Sequence, residues 1–107
     1  MARDHNYFVY IIECSDTLYY TGITNNLERR IYEHNEGEDV KSFTYKRRPV
    51  KLRYWLRFSN VNKAIEWEKQ LKGWGRKKKE ALFIDDWDEI KKLAKSRPPN
   101  PSSTGSD

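Results

Sequence analysis

Residues 7–37, YFVYIIECSDTLYYTGITNNLERRIYEHNEG, predict two neighbouring strands followed by a capped helix. Apolar residues alternate around Tyr10, and after a Ser-Asp-Thr turn a second apolar run ends at Gly22, which is the pattern of a β-hairpin. Two asparagines then offer side-chain oxygens to the free amides of a helix that the apolar spacing places at about residues 27–35. We therefore expect a hairpin that carries Tyr10 and Tyr20, followed directly by a helix.

The helical periodicity separates two adjacent arginines. At about 100° per residue, Arg30 and His34 lie at the edge of the apolar face that Leu27 and Ile31 form, whereas Arg29 points into water. Arg30 and His34 are therefore the polar side chains of this helix that are expected to face the rest of the domain.

A third strand is predicted at residues 50–58, where apolar and basic side chains alternate. One face is expected to join the core through Val50, Leu52, Tyr54, Leu56 and Phe58. The opposite, basic face either binds a polyanion or protects an edge strand from aggregation. Together with the hairpin, this strand predicts an α/β fold with a small, mostly antiparallel three-stranded sheet at residues 7–14, 18–23 and 50–58, flanked by helices.

A second helix is predicted to begin near Asn60, with Ala64, Trp67 and Leu71 on its apolar stripe. On this helix Glu68 faces inward and Glu66 outward. An ionised carboxylate that faces inward requires an ion-pair partner, hydrogen bonds or a metal ion. Taken alone, Glu68 is better explained by a salt bridge to a lysine or arginine than by a metal site.

The remainder of the chain is expected to contain packing elements. A basic run at residues 76–79 leads into a short helix at 81–84, and an aspartate can cap one last helix after it. We expect a single domain over residues 1–95. The proline-, serine- and asparagine-rich residues 96–107 are expected to form a disordered tail without a part in function.

Composition limits the partners and the compartment. The 107 residues contain 21 Lys and Arg against 16 Asp and Glu, a formal net charge of +5, which favours a polyanionic partner. A single cysteine, Cys14, cannot form an internal disulfide, so we expect a cytoplasmic location. Without a long apolar run, no membrane association is expected. We also expect a monomer without an organic cofactor.

The positive charge is concentrated in one segment. Between Asp39 and Glu66 the chain has no acidic residue and eight Lys and Arg residues. The candidate nucleic-acid-binding residues within it are Lys41, Lys46, Arg47, Arg48, Lys51, Arg53 and Arg57. Lys51, Arg53 and Arg57 can equally lie on the solvent side of an edge strand.

The ordered set of Val9-Tyr10-Ile11, Tyr20-Thr21-Gly22, Arg30 and His34 resembles the GIY-YIG nuclease family. The resemblance covers roughly residues 6–90 and is closest to the small single-domain bacterial members, which are similar to the amino-terminal domain of the excision-repair endonuclease. It implies a DNA endonuclease with a possible role in DNA repair. Tyr10 would be the general base and Tyr20 would orient the water or the phosphate.

The same resemblance assigns the remaining roles. His34 would assist near the attacking water, and Glu68 would bind Mg²⁺, for which Mn²⁺ should substitute. Arg30 has the planar fork that matches phosphate oxygens. Because the pKa of a free tyrosine is near 10, a bound cation or Arg30 is expected to lower that of Tyr10.

Each of these residues has a structural alternative when it is considered alone. Tyr10 and Tyr20 can be core rings, and His34 can be a structural residue on an apolar helix face. Three functions therefore remain open for the domain. They are a structure-directed DNA endonuclease, a non-catalytic nucleic-acid-binding module on the same scaffold, and an RNA-cleaving nuclease.

Overall fold

The computed structural model of the protein describes residues 6–96. In chain order these residues form β1 (Tyr7–Glu13), β2 (Tyr19–Thr24), α1 (Leu27–Glu36), a single 3₁₀ turn (Tyr45–Arg47), β3 (Lys51–Phe58), α2 (Val61–Lys72), α3 (Arg76–Phe83) and α4 (Trp87–Ser96). They divide after Glu68 into two compact units. The single domain expected over residues 1–95 stays a prediction, and residues 97–107 of the expected tail lie outside the described residues.

The three strands form one antiparallel sheet in the order β2-β1-β3. Tyr10 therefore lies on the central strand, where its two cross-strand partners are Gly22 and Trp55. The predicted α/β fold with a small three-stranded antiparallel sheet is confirmed, as is the placement of Tyr10 and Tyr20 on neighbouring strands.

Helix α1 begins and ends where its flanking residues predict. The Asn26 side chain accepts a hydrogen bond from the Arg29 amide at 3.1 Å, and Gly37 ends the helix in the left-handed conformation at φ 70°. His34 is buried, and Arg30 is less exposed than Arg29, with side-chain exposures of 35% and 62%. The predicted separation of the two arginines is confirmed.

The predicted two-faced pattern of the third strand is wrong at its centre. Ile11 pairs with Tyr54, but the next residue, Ile12, pairs with Leu52, so β3 contains one extra residue at this point. Such a bulge reverses which face the following side chains occupy. Leu52 accordingly packs in the cluster of Tyr10 and Ile12, whereas Tyr54 lies on the opposite face.

The predicted core and the predicted basic face of β3 also differ from the structure. Leu56 was expected in the core, and it is 43% exposed because it lies on an edge strand. Arg57 pairs with Phe8 and Trp55 with Tyr10, so both share the sheet face of Tyr10, whereas beyond the bulge Lys51 pairs with Glu13 and lies on the opposite face. The basic residues of β3 therefore do not form one continuous face opposite the core.

Helix α2 begins as predicted, because the Asn60 side chain accepts hydrogen bonds from the amides of Asn62 and Lys63 at 2.8 and 3.1 Å. Ala64 is fully buried, Glu68 is half-buried and Glu66 is exposed. The predicted difference in exposure between Glu68 and Glu66 is confirmed, although Glu68 is only partly buried.

Helix α3 is longer than predicted. It was expected at residues 81–84, but it begins at Arg76 and includes the basic run. Lysine and arginine are good helix formers, and Arg76 pairs with Glu80 one turn later at 3.0 Å. Asp86 caps α4 by accepting from the Glu89 amide at 3.1 Å. No helix within residues 6–96 combines the length and apolar character that crossing a bilayer requires.

Candidate active site

The hydroxyl of Tyr10 is the centre of a buried polar group on the α1 side of the sheet. Tyr10 is only 1% exposed. Its hydroxyl oxygen lies 2.9 Å from His34 Nε2, and the Arg30 guanidinium lies near enough to oppose the rise of the Tyr10 pKa. Tyr10, Arg30 and His34, which the sequence proposed from a strand and from one helix face, therefore lie together.

The hydrogen bonds of His34 have a direction. The nearby Arg30 guanidinium is positively charged and can only donate, so it favours the oxygen of the Tyr10 hydroxyl on its side, and the Tyr10 proton is donated to His34 Nε2. Neutral His34 in that tautomer carries its proton on Nδ1, which lies 2.9 Å from Thr44 Oγ1 and donates to it.

Thr44 is a site residue that the sequence did not reveal. It is 1% exposed, and its hydroxyl also lies 3.3 Å from Ser42 Oγ. It belongs to a segment between α1 and β3 whose sequence has no regular apolar periodicity. Asn35 fixes the end of this segment, because its side chain accepts from the Val50 amide at 2.7 Å and donates to the Val50 carbonyl at 3.3 Å.

Burial determines the protonation of the two central groups. It raises the pKa of Tyr10 to about 12; the Arg30 guanidinium opposes the rise, and the charge of Glu68 adds to it. Burial and the charge of Arg30 lower the pKa of His34 to about 4. Arg30 acts in the expected direction, but burial outweighs it, so the expected lowering of the Tyr10 pKa is wrong for the chain alone. At neutral pH both side chains are uncharged.

Gly22 provides the space for the Tyr10 hydroxyl. A Cβ atom at this position would lie 2.5 Å from the hydroxyl oxygen and 2.7 Å from Cζ of Tyr10. Both distances are shorter than any real contact of a Cβ atom, so the position requires glycine. In the sequence Gly22 ends an apolar run and belongs to the Tyr20-Thr21-Gly22 element, and its cross-strand partner Tyr10 explains why a glycine stands there.

Tyr20 forms the aromatic wall of the site. Its ring centroid is 6.4 Å from that of Tyr10 and 5.4 Å from that of His34. On its outer side Tyr20 stacks with Phe43, with the centroids 5.9 Å apart. Because Phe43 is 41% exposed, this stack connects the buried Tyr10 and His34 with the surface.

Arg30 is accessible from a cavity next to the buried pair. The cavity has a volume of about 210 Å³ and lies between α1 and the following segment, with Arg30, His34 and Ser42 in its lining. Glu33, also in the lining, pairs with Arg30 at 3.1 Å. The guanidinium is therefore held by Glu33 while part of it remains open to the cavity.

Glu68 is close enough to the site for its negative charge to raise the pKa of Tyr10. Within residues 6–96 no three His, Cys, Asp or Glu side chains lie together as a metal-binding group. Mg²⁺, however, commonly takes only one or two protein carboxylates and keeps several waters. A half-buried carboxylate close to Tyr10 therefore fits such an ion, and Glu68 is the side chain that would hold it.

The seven candidate nucleic-acid-binding residues divide into two groups. The arginines have structural contacts within the chain. Arg47 pairs with Asp16 at 2.9 Å, Arg48 donates to the Tyr45 carbonyl at 2.7 Å, Arg53 pairs with Glu13, and Arg57 donates to Asn6 at 2.6 Å. The lysines Lys41, Lys46 and Lys51 are exposed. Their binding role stays a prediction, and the lysines are the better positions for testing it.

Comparison with known proteins gives a consistent assignment. A family model described as the GIY-YIG catalytic domain matches residues 6–81. A UPF0213 protein of Natronomonas pharaonis is 43% identical over 86 residues, which cover 80% of this chain and 98% of that protein. A UPF0213 protein of Halobacterium salinarum is 47% identical over 75 residues, which cover 70% of this chain and 96% of that protein.

A solved structure shows the same likeness. The solution NMR structure of a protein from E. faecalis is 29% identical to this chain and superposes with a TM-score of 0.53. The match covers 94% of this chain and 98% of that protein.

Proposed function

This chain belongs to the GIY-YIG family, and on that premise we propose that it is a divalent-metal-dependent endonuclease that hydrolyses phosphodiester bonds in DNA. The main support is the buried hydrogen bond between Tyr10 and His34, with the Arg30 guanidinium beside it. A core tyrosine needs one partner for its hydroxyl, whereas this one has an imidazole partner and a cation nearby. Such a group of an acid, a base and a phosphate-binding cation is what hydrolysis of a phosphodiester requires.

Arg30 binds the phosphate. Its guanidinium can form two parallel hydrogen bonds to the non-bridging oxygens, and its charge offsets the negative charge that develops on them. The ion pair with Glu33 at 3.1 Å orients the fork before substrate arrives. Since phosphate contacts carry no sequence information, we expect recognition of DNA structure rather than sequence.

Tyr10 can remove a proton from the attacking water only after its own proton has left the hydroxyl. His34 Nε2 is the acceptor in contact with it. In the chain alone the pKa values are about 12 and about 4, so this transfer costs on the order of 10 kcal/mol at about 1.4 kcal/mol per pKa unit. Tyr10 therefore needs additional positive charge beside it to become a base.

Glu68 is the carboxylate that would hold this charge. Mg²⁺ bound there, with Mn²⁺ as a substitute, would lower the pKa of a nearby tyrosine and stabilise negative charge on the phosphate and the leaving oxygen. His34 keeps the Tyr10 proton directed away from the attacking water, and Tyr20 limits the space in which that water can sit.

The test is incubation with linear, nicked, flapped and four-way DNA and with RNA, in Mg²⁺, in Mn²⁺ and in a chelator. We expect metal-dependent cleavage of DNA that Tyr10→Phe and Arg30→Lys, purified in the same way, have lost. Lysine keeps the charge but not the fork. Absence of cleavage on every substrate, or equal cleavage by Tyr10→Phe, would contradict the function, and cleavage of RNA alone would replace DNA as its substrate.

A further inference from the structure

Trp55 presents an exposed indole on the sheet face that carries Tyr10. It is the cross-strand partner of Tyr10, so both side chains leave the sheet on the same face. Tyr10 is 1% exposed, whereas Trp55 is 52% exposed. One edge of the indole is fixed by Phe8, with centroids 5.9 Å apart in an edge-to-face arrangement. The position of this large open ring is therefore set by the sheet.

The indole forms part of a cavity of about 350 Å³, whose lining also includes Phe8, Asn6, Asn25 and Glu28. This volume is at the lower end of the roughly 300–1,000 Å³ of small-ligand sites. The amide side chains can donate and accept hydrogen bonds at its rim. The carboxylate of Glu28 repels a phosphate but accepts from an amino group. The lining thus suits a flat, uncharged ring with polar edges.

We propose that Trp55 binds an unpaired nucleobase of the substrate by stacking. Base stacking on an aromatic side chain is tolerant of sequence. Within a duplex the faces of the bases are covered by their neighbours, so the base that reaches the ring is a single-stranded or extruded one. This inference rests on the proposed function, and it narrows the substrate class to nucleic acids that carry an unpaired base.

The test compares Trp55→Ala with Trp55→Phe and with Leu56→Ala. Leu56 is a matched control, because it is the adjacent exposed apolar residue, at 43%, and its partner Val9 places it on the opposite sheet face. Affinity is measured by fluorescence anisotropy in a chelator, on labelled blunt duplex, on forked DNA and on the same fork with abasic residues in its unpaired arm. Thermal melts confirm that each variant is folded.

We expect Trp55→Ala to weaken binding to the fork by about tenfold, with Trp55→Phe retaining most of the affinity. Leu56→Ala should bind like the wild type, and blunt duplex should not distinguish the variants. On the abasic fork, wild type and Trp55→Ala should have equal affinity. The inference would be overturned if Trp55→Ala and the wild type bound the intact fork with equal affinity. It would also be overturned if Trp55→Ala still bound the abasic fork more weakly than the wild type does, or if the substitution changed only the oligomeric state.

Cleavage of the same oligonucleotides in Mg²⁺ separates this inference from the proposed function. If Tyr10→Phe abolishes cleavage while Trp55→Ala changes neither binding nor cleavage, the function stands and the base site is overturned. If binding depends on Trp55 and on the unpaired base but the wild type cuts none of the substrates, the base site stands and the function is contradicted.

Discussion

Replacing Gly22 with alanine tests whether the position of the Tyr10 hydroxyl matters. The added Cβ would lie 2.5 Å from the hydroxyl oxygen, whereas ordinary contact begins at 3.4 Å, so the ring must shift by about 0.9 Å. Tyr10 is only 1% exposed, and its bond to His34 is 2.9 Å long. We expect a loss of about 1–3 kcal/mol in the free energy of unfolding from overpacking. A displacement of this size should slow cleavage by about 10²-fold.

The assay is urea unfolding together with single-turnover cleavage of a DNA substrate in Mg²⁺. Gly75→Ala is the matched control, because a Cβ at Gly75 meets nothing within 4 Å and its φ is −74°. It should keep the wild-type cleavage rate. A Gly22→Ala variant with the stability and rate of the wild type would refute the claim that the Tyr10 hydroxyl is held in a catalytic position.

Three further predictions concern the residues around this site. Between about pH 6.5 and pH 4 the unfolded chain takes up a proton on His34 that the folded protein does not, since its pKa is about 4 in the fold and about 6.5 in the unfolded chain. The free energy of unfolding should therefore fall by up to about 3 kcal/mol as the pH falls through this range. Urea titrations of His34→Gln should not show this fall; the same pH dependence of stability in His34→Gln and the wild type would contradict the prediction. Thr44→Val removes the acceptor of His34 Nδ1, so it should lower stability by about 1–3 kcal/mol and slow cleavage, while Thr44→Ser restores both; equal rates for the two variants would exclude a positioning role. Charge reversal at Lys41, Lys46 and Lys51 should weaken binding to every DNA sequence and flatten the dependence of affinity on salt; unchanged titrations would remove these residues from the binding surface.

The hairpin and the first helix could be predicted because their signals are local. Alternation around Tyr10, the turn before Tyr20 and the 3.6-residue period of α1 each depend on neighbouring residues. Once the hairpin places two tyrosines on adjacent strands, a helix that directly follows brings Arg30 and His34 against them. The contact between Tyr10 and His34 at 2.9 Å is a consequence of those local choices.

The remaining features depend on contacts between distant parts of the chain. The extra residue in β3 is defined only by its pairing with Ile11 and Ile12, and the alternating sequence of that strand contains no sign of it. Thr44 is buried because an irregular segment folds against His34, a contact without a periodic signal. The high pKa of Tyr10 likewise follows from its burial, which the type of residue does not reveal.

The most direct test of a metal-dependent active site is cleavage by Glu68→Gln in Mg²⁺, with the exposed Glu66→Gln as control. The amide has nearly the volume of the carboxylate but is a far poorer ligand for a hard cation. We expect Glu68→Gln to lose metal-stimulated cleavage while its melting temperature and DNA affinity stay close to those of the wild type and of Glu66→Gln. Full cleavage activity in Glu68→Gln would contradict the proposal that Glu68 holds the metal ion. A loss of a few kcal/mol in stability with retained cleavage would show that Glu68 is a structural ion-pair residue.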